Sequence, residues 1–222
     1  WRGSHHDHAM EPATPATVRG DFSGTKFTKN GVTTTFSRRG EQFVVNTDGP
    51  DGKLRDYPVK YTFGWDPLQQ YLLELPGGRL QALSIAWDTR PKSEGGQRWF
   101  HLYPNEKIDH ADVLHWTGPA QNWNHMCAEC HSTSLQKGYD AAKDTFATTW
   151  SDLNVACEAC HGPGAAHVAW AEAVKSGKAP DVPRKDLLFE LRDTSGGAWA
   201  LAEGASIAHR TKPPASEHPA LR

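Results

Sequence analysis

Two copies of one five-residue pattern constrain this chain more than any other feature. Cys127-Ala128-Glu129-Cys130-His131 is repeated as Cys157-Glu158-Ala159-Cys160-His161, and together they use all four cysteines. Cys-x-x-Cys-His is the attachment pattern for a c-type haem. Two thiols three positions apart add across the two vinyl groups of one porphyrin. The adjoining imidazole is then held under the ring as the proximal ligand to iron. The pattern therefore predicts two covalent haem c groups. Cys127, Cys130 and His131 hold one; Cys157, Cys160 and His161 hold the other, with His131 and His161 on iron.

Three rival chemistries use the same residues. Paired Cys-x-x-Cys sequences also close tetrahedral zinc sites. Here 26 residues separate Cys130 from Cys157, more than the usual zinc-ribbon gap, and zinc leaves the histidine after each pair unexplained. A thioredoxin-like motif is normally single and sits in a βαβ pattern, which is not visible. Plain disulfides are the third rival. Haem accounts for the most residues.

Composition supports a cofactor-rich chain. Hydrophobic residues make up only 37% of 222, while there are nine Trp and 12 His, residues suited to packing on and ligating macrocycles. The formal charge of −2 gives no reason to expect nucleic acid. No run of 18 apolar residues exists, so no transmembrane span is expected. Neither is a signal peptide present, and the first residue is Trp1. Covalent haem attachment is nevertheless extracytoplasmic, so the chain reads as a mature or truncated bacterial protein of the periplasm or cell exterior.

The expected fold class is α+β, an antiparallel β-meander followed by a mainly helical or irregular multihaem region. Residues 1–20 form an N-terminal haem-contacting segment with little periodicity. Residues 21–105 hold short β-branched and aromatic runs separated by turns, such as Val32-Thr33-Thr34-Thr35-Phe36 and Gln42-Phe43-Val44-Val45. Pro76-Gly77-Gly78-Arg79 reads as the loop of a hairpin. Five or six strands are expected. Asp48-Gly49-Pro50-Asp51-Gly52 reads as a turn, with calcium at Asp48 and Asp51 the less favoured alternative. Residues 106–180 are expected to be a helical di-haem region, with the best amphipathic helix from His167 to Ser176. Residues 181–222 are expected to be an extended tail.

A six-coordinate haem needs a second axial ligand, and ten histidines remain after the two proximal ones. Bis-His ligation is the expectation. His167 follows a Gly-Pro-Gly turn that redirects the chain and is placed to cap a neighbouring haem. His115, between Leu114 and Trp116, and His101, between Phe100 and Leu102, are further candidates. His125 reads as exposed, and His209 and His218 as solvated. Met10 and Met126 read as packing rather than as sulfur ligands.

With these residues in view, the chain resembles multihaem c-type cytochromes whose genes continue into tetratricopeptide repeats, related to the tetrahaem cytochromes of ammonia oxidisers. The likeness runs from Trp1 to about Ala171. It includes Thr47-Asp48-Gly49-Pro50-Asp51-Gly52, Pro67-Leu68-Gln69-Gln70-Tyr71, Gly95-Gly96-Gln97-Arg98-Trp99, His115-Trp116-Thr117-Gly118, Asn122-Trp123-Asn124 and Cys157-Glu158-Ala159-Cys160-His161-Gly162-Pro163-Gly164. The resemblance implies that the His of a Trp-x-x-Ser-x-His pattern caps a different haem. Here that pattern falls on Trp1, Ser4 and His6, so His6 becomes the favoured distal ligand of its stretch. The resemblance also implies one Cys-x-x-Cys-His before Trp1 and another after the tail, so the chain reads as a fragment. The expected function is electron transfer to and from redox partner proteins or other haem-bearing segments. A haem oxidoreductase acting on a small nitrogen or sulfur compound is the alternative, and a structural unit of a larger redox assembly is a third reading.

Overall fold

Runs of β-branched and aromatic residues from Ser23 to His101 do form strands, and they form more of them than the sequence pattern announces. The computed structural model describes residues 1–178, 180–188, 198–203 and 209–212. The chain divides into two units, Trp1–Ala159 and Cys160–Arg222.

The first unit is built on nine strands: β1 (Met10–Pro12), β2 (Ser23–Lys29), β3 (Val32–Arg39), β4 (Gln42–Asp48), β5 (Leu54–Phe63), β6 (Leu68–Leu75), β7 (Arg79–Ala82), β8 (Ile85–Asp88) and β9 (Arg98–His101). They lie in the order β2-β3-β4-β5-β6-β8-β9, with β1 added to β5 and β7 to β6. Asn30 and Gly31, both at positive φ, join Lys29 to its partner Val32. That is the two-residue hairpin geometry whose twist suits the flanking strands. The sheet curls towards closure: Trp99 Nε1 of β9 donates to Thr25 Oγ1 of β2 at 3.0 Å.

Two irregularities set where the attachment motif and the barrel mouth lie. β1 takes over at Tyr61–Phe63 the edge of β5 that β4 occupies at Leu54–Pro58. β7 and β8 share one edge of β6, but the register slips between them. Leu72 faces Ala82, whereas Gln69 faces Trp87, so Leu83 and Ser84 sit in a bulge. Bulges of this kind re-aim side chains.

The interior is aromatic. The ring of Phe22 meets Phe36, Phe43, Tyr71 and Trp99 edge-on, and Phe36 stacks on Trp99 at 3.5 Å. A second cluster forms on the outer face of the sheet from Met10, Leu72, Leu80, Ala82, Trp123 and Ala128. β6 serves both. Successive strand residues point to opposite faces, so Tyr71 and Leu73 join the inner cluster while Leu72 joins the outer one. This explains why Tyr71-Leu72-Leu73 is an unbroken apolar run, as strands buried on both faces are.

The expected α+β class, with a mainly helical haem region, is overturned. Among the described residues strand accounts for 36% and helix for 17%, and the sheet is a near-barrel. Between residues 106 and 162 the helices are single turns: α1 (Trp123–Met126), α2 (Ala128–His131) and α3 (Cys157–His161). A five-residue attachment motif specifies one turn and nothing beyond it. Ser132 is already extended, at φ −141° and ψ 173°, and a small hairpin, β10 (Tyr139–Asp140) with β11 (Thr145–Phe146), fills the gap between motifs. Such short helices draw their stability from packing rather than propensity.

The second unit contains α4 (Ala165–Lys175), which follows Gly164. His167 Nδ1 lies 2.7 Å from the Lys185 carbonyl and Trp170 Nε1 donates to the Pro180 carbonyl at 3.1 Å. β12 (Ala198–Ala200) pairs antiparallel with β13 (His209–Lys212). The rest of the expected tail, His218 included, lies outside the described residues.

Candidate haem-attachment site

The first motif is held against the outer face of the sheet by an apolar plug and two asparagines. Trp123 is fully buried in the outer cluster, beside Leu72 and Leu80. Asn122 caps α1, its side chain accepting from His125 N at 3.0 Å while donating to Gln81 Oε1 at 2.9 Å. Asn124, 1% exposed, accepts from Leu80 N at 2.7 Å and donates to Gly78 O and Thr148 Oγ1. An amide with this many buried partners fixes the helix to β7 in position and rotation. Gly78 permits the fit, since a Cβ there would lie 2.2 Å from the Phe146 carbonyl oxygen.

Along the motif itself, Ala128 is buried while Glu129 and Cys130 are exposed and Cys127 is half-buried at the rim of the cluster. Cys130 N donates to Cys127 O at 3.1 Å, closing the turn that puts both thiols on one side. Burial pushes the Cys127 thiol pKa up, and the neighbouring Cys130 adds to this. His131 lies where β1 meets the end of β5. Its ring is 4.4 Å from that of Phe63 and tilted by 52°. Burial holds its pKa below the usual histidine value, an effect the Ala9 backbone partly offsets. That favours the neutral imidazole, the form that binds metals.

The segment after the first motif is stitched to the approach of the second. Thr133, fully buried, accepts from Ala156 N at 2.9 Å and donates from Oγ1 to the Asn154 carbonyl at 2.8 Å. Thr133 is two residues from His131 and Ala156 one residue from Cys157. The N-terminal segment joins the same junction. Trp1 Nε1 donates to Val155 O at 2.7 Å, Val155 N to His6 O at 3.2 Å, and Asn154 Nδ2 to Asp7 O at 2.8 Å. In α3, Cys157 and Cys160 are exposed one helical turn apart.

These residues fit covalent haem. All four cysteines are free thiols, so neither pair is spent as a disulfide. Among the described residues no three His, Cys, Asp or Glu side chains gather into a metal-holding group. His131 and His161 each have a shielded Nδ1 with no hydrogen-bond partner. Ligating histidines usually satisfy that nitrogen from a second shell, and among the described residues neither ring has such a partner.

The expected distal ligands fall in different places. His6 is exposed on the N-terminal segment at the junction. His167 is on α4, its Nδ1 engaged by Lys185 O. His115 is 6% exposed and bound at both nitrogens. Thr117 N and Oγ1 lie 3.3 and 2.8 Å from Nδ1, and Asp48 Oδ2 lies 3.2 Å from Nε2. His101 accepts from Tyr103 N at Nδ1 and lines the same cavity as His115. Asp48 pairs with Leu54 at one end of β5, and His131 touches Phe63 at the other. β5 is 10 residues long, roughly 30 Å at the rise of an extended strand, so the structure does not bring His101 and His115 to the His131 site. Asp48 and Asp51 are likewise taken, the latter by Arg55 at 2.5 Å. Met10 is core, whereas Met126 is 59% exposed.

The family model of cytochrome c554 and c-prime matches residues 87–162, the stretch that holds both Cys-x-x-Cys-His motifs. That supports a c-type cytochrome in electron transfer. No curated protein matches the chain, and neither does any solved structure. Among the described residues no helix is long and apolar enough to cross a membrane. The residues that position the cytochrome motif, Asn122, Asn124, Thr133 and Phe63, carry no chemical signature of their own. Asn122 and Asn124 were visible only as part of the resemblance, and Thr133 would have been found only by knowing its partners.

Proposed function

We propose that this chain is an electron-transfer multihaem cytochrome c carrying two covalent haems, one on Cys127, Cys130 and His131 and one on Cys157, Cys160 and His161. The observation that carries this reading is the Thr133 junction, which ties the end of the first motif to the residues leading into Cys157. Two haems held on neighbouring stretches of one chain would suit electron hopping. Bound haem would supply an iron that takes up and gives back single electrons. The protein's part is to hold the thiols one turn apart, to keep His131 neutral, and to fix its ring against Phe63.

His6 is the favoured distal ligand of the N-terminal segment, because that segment is pinned at Asn154 and Val155. His167 is the second, towards a neighbouring haem. His101 and His115 are not part of this assignment. The reading extends to bis-His ligation, to a bacterial, extracytoplasmic location where covalent haem attachment takes place, and to redox proteins as partners. It also includes kinship with cytochromes linked to tetratricopeptide repeats and with those of ammonia oxidisers.

The test is a pyridine haemochrome count together with an electron paramagnetic resonance spectrum of the haem-loaded chain. Two haems per chain, both low-spin, are expected. A high-spin iron would move the reading towards a substrate-binding oxidoreductase, and an absence of covalent haem would overturn it.

A further inference from the structure

Within the second unit, the segment that follows α4 folds back onto the helix and prepares one nitrogen of His167. The helix closes on Ser176, and Gly177, at φ +69°, reverses the chain. Gly177 N donates to Val174 O at 3.0 Å and Lys178 N to Ala173 O at 2.9 Å. The returning segment then meets the helix twice. Trp170 Nε1 donates to Pro180 O at 3.1 Å, and His167 Nδ1 lies 2.7 Å from Lys185 O. His167 and Trp170 are three positions apart and so share a helix face. Their rings stack at 5.6 Å with planes 17° apart, which holds the plane of the imidazole.

The Lys185 carbonyl has no hydrogen to give. The ring nitrogen beside it therefore carries the N–H, which leaves the lone pair of the neutral imidazole on Nε2. A backbone carbonyl on the other nitrogen is one of the ways a ligating histidine is fixed in tautomer and orientation. His131 and His161 have no such partner at Nδ1. The backbone that aims this carbonyl is unusual. Arg184, Lys185 and Asp186 lie at φ 55°, 56° and 56°, in the left-handed region that residues with a Cβ avoid. Such residues persist where their surroundings over-determine them, and they gather at functional sites. Here Lys185 N donates to Val182 O at 3.3 Å and Leu187 N to Arg184 O at 3.1 Å.

We infer that residues 180–187 are a positioning device for His167, the Lys185 carbonyl fixing its tautomer so that Nε2 is the atom offered to iron. This rests on the proposed role of His167 as a distal ligand, and the experiment separates the two. Cyanide competes with a distal imidazole for ferric iron. The full haem-loaded chain is therefore titrated with cyanide and followed by its Soret band and by electron paramagnetic resonance. His167→Ala should move one phase of the titration to lower cyanide. Lys185→Pro holds φ at about −65° and turns the carbonyl away from the ring. Lys185→Gly loses the same side chain but accepts a positive φ. Losing the bond to the second nitrogen of a ligating histidine weakens the ligand about tenfold. In Lys185→Pro the phase that His167→Ala moves should therefore fall to about tenfold lower cyanide, while Lys185→Gly keeps the unsubstituted midpoint. Equal midpoints in the Pro and Gly variants, or movement of every phase in Lys185→Pro, would sink the inference alone. An unchanged titration in His167→Ala would remove His167 as a ligand and the inference with it.

Discussion

At the scale of single residues, the attachment site divides into groups that announce their chemistry and groups that do not. Cys127, Cys130 and His131 are legible because their spacing is itself the chemistry. Thr133 is not, because its importance lies in partners 21 and 23 positions away. Thr133→Val keeps the shape but strands the Ala156 N–H and the Asn154 carbonyl in the interior. It should cost about 1–3 kcal/mol, the penalty for a buried polar group left unpaired, read from the midpoint of chemical denaturation. His115 reverses the case: it looked like a free ligand and is instead half of a buried pair. Burial raises the Asp48 carboxyl, but the interactions with His115 and the Thr47 hydrogen bond outweigh it and hold the pKa below its ordinary 3.8. A depressed carboxyl stabilises the fold above its unfolded value, and that contribution fades as pH falls through the folded value. Stability should therefore drop below about pH 4. In Asp48→Asn that part of the acid limb should vanish, as thermal melts across pH would register.

At the scale of elements, strands were legible from apolar runs and turns, but the face each residue takes was not. Tyr71-Leu72-Leu73 is readable as one arm of the hairpin around residues 76–79, as β6 and β7 show, yet its division between the interior and the surface that receives Trp123 is not. Leu72→Ala and Leu73→Ala should each cost about 2–5 kcal/mol, as truncations in packed cores do. A strand buried on one face alone would be sensitive at only one of the two, which paired denaturation curves distinguish. β1 and β2 went unread, since three residues of β1 show no period and β2 alternates with mostly exposed positions. The helical expectation after residue 105 failed for the opposite reason: a strong local motif was extended beyond the single turn it specifies. Asn124 shows what takes the place of helix length. Its bonds to Leu80, Gly78 and Thr148 anchor a four-residue helix. Asn124→Ala should loosen the motif and destabilise the chain by about 2–4 kcal/mol, the sum of two or more buried polar groups left unpaired, measured by denaturant titration.

At the scale of the whole molecule, a near-barrel sheet carries its first attachment motif on the outer face. The N-terminal segment and Thr133 gather the first motif and the lead into the second in one unit, although the chain separates them by a hairpin. That gathering was not readable from sequence, because it depends on contacts between Trp1 and Val155 and between Asp7 and Asn154. The family match over residues 87–162 and the free state of all four cysteines agree with haem as the group they hold. The most direct test is the intact mass of the chain produced where c-type haem is attached, measured before and after thiol alkylation. Two haem additions per chain with no alkylatable thiol are predicted, falling to one addition in the Cys127→Ala, Cys130→Ala variant. A chain with no haem addition and four alkylated thiols, or the same haem count in that variant, would contradict the account.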